Sequence, residues 1–258
     1  MPDVPTMTMN DGRTIPQFGF GVFQVPEDDT ARIVGEALDA GYRMIDTAWG
    51  YMNEAGVGEG LAASALDRDD VFVTTKVWNS YQGRDKTLES FDASMKALRL
   101  DELDLLLIHW PAPANDLYVE TWQTFVELRD SGRVRSIGVS NFEPEHLGRI
   151  IDATGVVPAV NQVELHPWLQ QEELRTLHAD EAVLVEIGER HGRSAVQVTL
   201  RWELQHGIVV IPKTVHADRI VSNIDVFDFE LSADEMAAID ALDAGAEGRM
   251  GPDPTTFS

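Results

Sequence analysis

The sequence predicts an α/β fold in which the parallel strands of one sheet alternate with helices. Three observations lead to this prediction. Short runs rich in β-branched residues recur along the chain, turn-forming residues bound each run, and a segment with helical spacing follows. Over 258 residues this alternation favours a (β/α)8 barrel, the TIM-barrel architecture, formed by a single domain over residues 1–258.

Seven runs are predicted as strands, one fewer than a closed eight-stranded barrel needs. They occupy residues 18–25, 42–48, 71–77, 103–110, 134–140, 159–165 and 207–213. Before the first run, "MTMNDGRTIP" places Asn-Asp-Gly between β-forming residues. This pattern predicts an N-terminal β-hairpin that caps one end of the barrel.

The helical segments carry their own start and stop signals. "EDDTARIVGEALDAG" has acidic residues in its first turn and Gly41 after its end. Ser232 and Glu235 have the spacing of a capping box, which predicts the start of a last helix.

The missing strand can be located, because one helical pattern passes directly into another between His178 and Val183. Either the protein lacks one strand and its loop after about residue 179, or the numbering closes over a segment of a longer chain. We favour the second alternative, since removing one strand from a closed sheet would leave two unpaired edges.

Composition restricts the partners and the chemistry. The chain has 44 acidic and 20 basic residues, a net charge of −24, which disfavours nucleic acid and anionic membranes as partners. No apolar run approaches the roughly 20 residues that cross a bilayer, so we expect a cytoplasmic protein. There is no cysteine, and the seven histidines lack metal-ligand spacing, so no metal site is expected and a metal-dependent hydrolase is disfavoured.

Polar residues stand at the ends of six predicted strands, where barrel enzymes gather their catalytic groups. They are Asp46, Lys76, His109, Ser140, Asn141, Gln162, Glu164 and Lys213. Each alone has a plainer interpretation: an Asp often caps a turn, a Lys reaches solvent, and a His among leucines is often a satisfied core group. Together, unpaired charges would be costly in such apolar runs, whereas an Asp46–Lys76 pair beside Tyr51 and His109 satisfies all four.

This pairing predicts a catalytic use. Lys76, held by Asp46 and placed against Tyr51, would lower the tyrosine pKa and make Tyr51 a useful acid. His109, as a neutral donor, could orient a carbonyl oxygen that receives the Tyr51 proton. A carbonyl that gains a proton also needs a hydride, so a nicotinamide cofactor is expected.

Six motifs that stand in one order along the chain resemble those of the aldo-keto reductase family. They are "GYRMIDTAWGYMNEAGVGE", "TTKVWN", "LLIHWP", "SIGVSNF", "NQVELHP" and "VVIPKTVHADRIVSN". The resemblance covers almost the whole chain and is greatest to the bacterial branch that includes diketogluconate reductase. It implies a (β/α)8 barrel, NADPH as cofactor, a monomer, and catalytic roles for Asp46, Tyr51, Lys76 and His109.

The resemblance also implies the cofactor contacts. Ser140, Asn141 and Gln162 would hold the nicotinamide amide, and the absent stretch after His178 would bring the aromatic residue that stacks on the ring. The adenosine 2′-phosphate and adenine would be held by Lys213, Thr214, Arg219 and Asn223, with Val22 and Val215 as further cofactor contacts. There is no G-x-G-x-x-G motif, so a Rossmann fold is not expected.

Four aromatic residues, Phe23, Trp49, Trp78 and Trp110, would line an apolar substrate pocket, although core packing is an equal alternative for Trp110. Aldehydes, ketones, α-dicarbonyls and keto-sugars all stay open as substrates. Two other functions stay open as well: a Schiff-base aldolase that uses Lys76, and a non-catalytic barrel that senses NADP(H).

Overall fold

The structure is a computed structural model that describes residues 4–170 and 182–258. Its strands are β1 (Thr6–Thr8), β2 (Thr14–Pro16), β3 (Phe20–Gly21), β4 (Met44–Asp46), β5 (Phe72–Val77), β6 (Leu103–Ile108), β7 (Val134–Ser140) and β8 (Asn161–Gln162). Its helices are α1 (Glu27–Ala40), α2 (Glu54–Ala63), α3 (Arg84–Leu98), α4 (Tyr118–Asp130), α5 (Pro144–Thr154), α6 (Ala182–His191), α7 (Ala195–Gln205), α8 (Ala217–Ile224) and α9 (Ala233–Asp240).

Strands β1 and β2 form the expected N-terminal hairpin. They pair antiparallel with Met7 opposite Ile15, and Gly12 in the turn has a φ of +83°, which glycine adopts without strain. Ile15 is buried in one cluster with Met44, Leu105 and Leu107 of the parallel strands. The hairpin therefore covers the amino end of the barrel, as the sequence predicts.

Strands β3 to β8 form one parallel sheet in chain order, so each strand lies beside the next one along the chain. This arrangement requires a crossover between successive strands, and helices α1 to α5 lie in these connections. The predicted α/β barrel architecture is confirmed by this topology together with the structural comparison given below.

The seventh predicted strand, residues 207–213, lies beside β3 but does not form a regular ladder. Val210 makes an isolated parallel bridge with Phe18, and the amides of Gly19 and Gly21 donate to the carbonyls of Val210 and Pro212. Residues 207–213 thus lie along the edge of β3 that does not pair with β4, as in a sheet that curls into a barrel. The segment therefore pairs where the sequence predicts a strand, but it forms a single bridge with three backbone hydrogen bonds and not a full strand over 207–213.

The predicted break near residue 179 lies outside the described residues. Between β8 and residue 207, the described part of the chain contains helices α6 and α7 and no further strand. Six strands and one bridged segment therefore account for seven positions, and a ring of eight strands is not seen in the described ranges.

Helix α2 packs very closely against its neighbours through glycines. A Cβ atom on Gly56 would lie 2.7 Å from the Cβ of Thr30 in α1, and one on Gly58 would lie 2.5 Å from the Ala97 carbonyl oxygen in α3. Helix α2 follows directly after Tyr51 and Asn53, so this packing holds the chain near the expected catalytic tyrosine.

We predict that Gly58→Ala destabilises the fold by about 1–3 kcal/mol, because the added methyl group meets backbone atoms that cannot move aside. Urea unfolding measures the change. Gly35→Ala in α1 is the matched control, since nothing lies within 4 Å of its added Cβ. The control is expected to be neutral or stabilising by up to about 1 kcal/mol. Equal losses in both variants would contradict the close packing of α2.

Candidate active site

Lys76 and Asp46 form a buried ion pair at the carboxyl ends of β5 and β4. The Lys76 Nζ lies 2.6 Å from Asp46 Oδ1, and the two residues are 1% and 4% exposed. The ammonium also donates to the Thr47 carbonyl oxygen at 2.9 Å and to the Tyr51 hydroxyl at 3.4 Å. All three of its protons therefore have acceptors, as a buried ammonium requires.

The pair keeps Lys76 charged. Burial lowers the Lys76 pKa, but the charges of Asp46 and Tyr51 and their hydrogen bonds outweigh burial, so the pKa is raised. A lysine with a raised pKa carries its proton at neutral pH and is a poor nucleophile. The alternative of a Schiff-base aldolase is therefore disfavoured.

Tyr51 stands in a single 3-10 turn, Trp49–Tyr51, directly after β4. Burial raises the Tyr51 pKa, and the Lys76 charge lowers it by a smaller amount, so the net direction is upward. The expectation that Lys76 gives a net lowering is wrong, because it neglects the removal of the phenol from water. The hydroxyl is therefore protonated at neutral pH, which is the form that can donate a proton.

His109 follows β6, and its ring centroid lies 5.5 Å from that of Tyr51. Burial, and then the charge of Lys76, hold the His109 pKa well below its usual value. Its imidazole is therefore neutral at neutral pH, as expected from the sequence. Nδ1 is buried and has no hydrogen-bond partner in the described ranges.

The three residues expected at the nicotinamide amide lie against these groups. Gln162 Nε2 donates to Asp46 Oδ2 at 3.0 Å, Asn141 Nδ2 donates to the His109 carbonyl oxygen at 2.9 Å, and Ser140 Oγ donates to the Gln162 carbonyl oxygen at 2.8 Å. The Asp46 carboxylate thus holds Lys76 with one oxygen and Gln162 with the other.

Lys213 and Arg219, the residues expected at the 2′-phosphate, are exposed cations. A Cβ built on Gly21 would lie 3.7 Å from Lys213 Cβ, and Gly21 pairs with Asp46, so Lys213 stands at the same end of the barrel as Lys76. Neither cation has an acidic partner within 4.0 Å in the described part of the chain, although most other described arginines form salt bridges. Two unpaired cations in so acidic a chain suit an anionic group, so these residues fit the phosphate of the expected cofactor.

The remaining expected cofactor residues differ in exposure. Val22 is fully buried, and its amide donates to the Asp46 carbonyl oxygen. Thr214 and Asn223 are also buried, whereas Val215 is 37% exposed. All but Val22 lie on the segment from residue 213 to α8, which Tyr42 ties to the barrel by donating from its hydroxyl to the Ile220 carbonyl oxygen.

Two of the four expected pocket aromatics contact the rings of Tyr51 and His109. The ring centroid of Phe23 lies 5.0 Å from that of Tyr51, and the ring centroid of Trp78 lies 5.0 Å from that of His109. Trp110 contacts Phe257, with ring centroids 4.5 Å apart. Trp49 lies against Tyr81 instead, at 4.3 Å.

Phe257, which the sequence does not single out, contacts the rings of Trp78 and Trp110. The C-terminal tail is held by Glu164, whose carboxylate accepts the backbone amides of Met250 and Gly251 at 2.7 and 2.8 Å. A lone aromatic residue in a tail rich in Pro, Gly and Thr gives no periodic signal. Its position follows from this long-range contact and could not be inferred from spacing.

A separate cavity of about 750 Å³ lies at the amino end of the barrel, under the hairpin. Among its charged residues, Arg135 pairs with Asp69 and Asp104. Within the described ranges, no cluster of His, Cys, Asp or Glu is arranged to hold a metal ion. In the same ranges, no helix is long and apolar enough to cross a membrane.

A charged lysine beside a protonated tyrosine at the carboxyl ends of barrel strands is an arrangement that suits an enzyme, since catalytic groups of such barrels gather there and a protonated phenol can act as an acid. The sequence pattern of the Aldo/keto reductase family matches residues 17–184 and 176–244. The chain belongs to this family and is an NADPH-dependent oxidoreductase. The two matched pieces meet at residues 176–184, where the sequence analysis places the missing strand.

Relatives and solved structures agree with this family. An aldo-keto reductase of Mycolicibacterium smegmatis is 52% identical over 272 residues, with 98% of each chain covered. Methylglyoxal reductase DkgA of Escherichia coli K12 is 41% identical, with 100% of this chain and 99% of the relative covered. The structure of a Gox0644 variant in complex with NADPH superposes with a TM-score of 0.93 at 48% identity and covers all of both chains.

We predict that Asp46→Asn destabilises the protein by about 3–5 kcal/mol, because it leaves the Lys76 ammonium buried without its counter-charge. Urea unfolding measures the loss. The double variant with Asp46→Asn and Lys76→Met removes both charges and is expected to recover much of the stability. If the double variant is less stable than Asp46→Asn, the unpaired charge of Lys76 is not the cause of the stability loss in Asp46→Asn.

Proposed function

We propose that this enzyme reduces small aldehydes and ketones to alcohols, with Tyr51 as the proton donor. The arrangement of Lys76 carries the proposal, since its ammonium lies 2.6 Å from Asp46 and 3.4 Å from the Tyr51 hydroxyl. Bound NADPH would supply the hydride to the carbonyl carbon. The residues of the chain then have to place the carbonyl oxygen and protonate it.

Each residue has a separate task in this proposal. Tyr51 donates its proton to the carbonyl oxygen as negative charge develops there. Lys76 stabilises the phenolate that remains, and Asp46 keeps Lys76 charged and in place. Neutral His109, whose ring lies edge-on to that of Tyr51, orients the carbonyl oxygen.

The cofactor contacts follow from the charges and amides described above. Ser140, Asn141 and Gln162 would bind the nicotinamide amide, and Lys213 and Arg219 would bind the 2′-phosphate. Thr214, Asn223, Val22 and Val215 complete the proposed set. The non-catalytic sensor is the second candidate, and it is disfavoured because the structure brings Asp46, Tyr51, Lys76 and His109 together.

The substrate proposal rests on the aromatic residues Phe23, Trp78, Trp110 and Phe257. A pocket lined by these aromatic rings would suit small carbonyl compounds with an apolar side. The similarity to a methylglyoxal reductase favours α-dicarbonyls over keto-sugars. We further propose that the enzyme acts in the cytoplasm as a monomer.

We predict that Tyr51→Phe lowers kcat by about a hundredfold to ten-thousandfold, the usual contribution of a positioned general acid. The ring and its contact with Phe23 remain, so NADPH binding is expected to be unchanged. Turnover of methylglyoxal, followed by NADPH absorbance, and NADPH fluorescence titration measure the two quantities. Normal turnover by this variant would remove Tyr51 as the proton donor.

We predict that Lys213→Ala combined with Arg219→Ala raises the KM for NADPH at least about tenfold, because each lost charge-assisted hydrogen bond contributes about 1.5–3 kcal/mol. The KM for NADH, which lacks the 2′-phosphate, is expected to change little. Steady-state kinetics with both cofactors measure the preference.

Lys86→Ala with Lys96→Ala removes the same charge from exposed positions of α3 and serves as the control for this prediction. The control is expected to keep the preference for NADPH. A preference that is unchanged in the Lys213 and Arg219 variant would exclude these residues as the phosphate site.

A further inference from the structure

Glu54 is a buried carboxyl that the mechanism above does not use. It is the first residue of α2, three positions after Tyr51, and it is 6% exposed. Thr75 Oγ1 donates to Glu54 Oε1 at 2.5 Å, and Ser94 Oγ donates to Glu54 Oε2 at 3.0 Å. The Glu54 side chain therefore joins residues 49–54, the segment that carries Tyr51, to strand β5 and to helix α3.

The contact with Thr75 is next to the catalytic lysine in the chain. Successive residues of a strand point to opposite faces, so Lys76 points into the barrel and Thr75 points toward the helices. Glu54 therefore reaches β5 from the outside, at the residue adjacent to Lys76. Its hydrogen bonds go to Thr75 and Ser94 and not to Tyr51 or Lys76, so its hydrogen-bonding effect on those two residues passes through the backbone that carries them.

Asn53 also ties this segment to the residues that follow β3 and β4. Its Nδ2 donates to the carbonyl oxygens of Val22 and Val25, and its Oδ1 accepts from Thr47. The glycine contacts of α2 with α1 and α3 restrict the segment further. Among these ties, the bond from Glu54 to Thr75 is the one that sets the segment against the strand of Lys76.

We propose that Glu54 is a positioning residue that fixes the distance between the Tyr51 hydroxyl and the Lys76 ammonium. The inference rests on the proposed function, in which Tyr51 is the proton donor and Lys76 stabilises its phenolate. The bridge needs two side-chain atoms that can pair with hydroxyl groups, and it does not need a negative charge.

The electrostatics of Glu54 agree with a bridge that needs no charge. Burial raises the Glu54 pKa, and the hydrogen bonds from Thr75 and Ser94 and the charge of Lys76 lower it by less. A glutamine has the same shape and can accept from Thr75 while it donates to Ser94 Oγ. The groups that face Tyr51 are Lys76, Asp46 and His109, and Glu54→Gln leaves all three in place.

The first test compares Glu54→Ala with Glu54→Gln. We expect Glu54→Ala to lower kcat by on the order of tenfold to a hundredfold, since small displacements of reacting groups cost this much. The alkaline limb of its kcat profile should move to higher pH, because Tyr51 loses the lowering effect of Lys76 on its pKa. Glu54→Gln should keep kcat and the pH profile of the parent enzyme, and both variants should keep the affinity for NADPH measured by fluorescence.

The second test separates the two hydrogen bonds and applies even if Glu54→Ala does not fold. Thr75→Val keeps the side-chain shape and removes the bond to β5, whereas Ser94→Ala removes the bond to α3 alone. We expect Thr75→Val to lower kcat and to shift the alkaline limb, and Ser94→Ala to lower the melting temperature with kcat unchanged. Glu59→Gln, on the exposed face of α2, is the control for substitutions in this helix.

Two outcomes would overturn the inference. The first is a folded Glu54→Ala variant with lowered melting temperature but the kcat and pH profile of the parent enzyme. The second is an equal effect of Thr75→Val and Ser94→Ala on kcat. Failure of the proposed function is a different result, because Tyr51→Phe would then turn over normally whatever Glu54 does.

Discussion

The buried ion pair of Lys76 and Asp46 is the constraint on which the rest of the site depends. A charged lysine that is 1% exposed needs a partner for every proton, and the partners come from the end of β4, from the backbone after it and from Tyr51. The second Asp46 oxygen binds Gln162 at the end of β8. The ion pair needs β4 beside β5, and the Gln162 contact brings the end of β8 to the same carboxylate, so these groups meet only in the folded barrel.

The sequence predicts much of this because barrel geometry is regular. Polar residues at strand ends must gather at one mouth, and this rule brings Asp46, Lys76 and His109 together without further information. The pKa of Tyr51 could not be predicted in the same way, since its net direction depends on how much protein surrounds the ring. Phe257 and Glu54 make long-range contacts, to Trp110 and to Thr75, that no periodicity in their own segments indicates. The strand expected at 207–213 pairs too sparsely to form a ladder.

The charge distribution distinguishes the general surface from the proposed cofactor region. Most described arginines neutralise nearby acids, and the chain still carries a net charge of −24. Lys213 and Arg219 have no such partners in the described residues, although acidic side chains are abundant. Two unpaired cations make the potential locally more positive at the proposed phosphate site, while the net negative charge of the remaining surface repels polyanions.

The residues of the candidate active site differ in how firmly the surrounding structure holds them. Tyr51 and Lys76 are fixed by buried bonds and by a helix pressed against its neighbours, whereas Phe23 follows a strand of two residues and Phe257 stands in the C-terminal tail. Substitutions at Phe23 or Phe257 need not disturb Tyr51, the proposed proton donor. Substrate range in this scaffold can therefore diverge between lineages, or be redesigned in the laboratory, while the reaction itself is preserved.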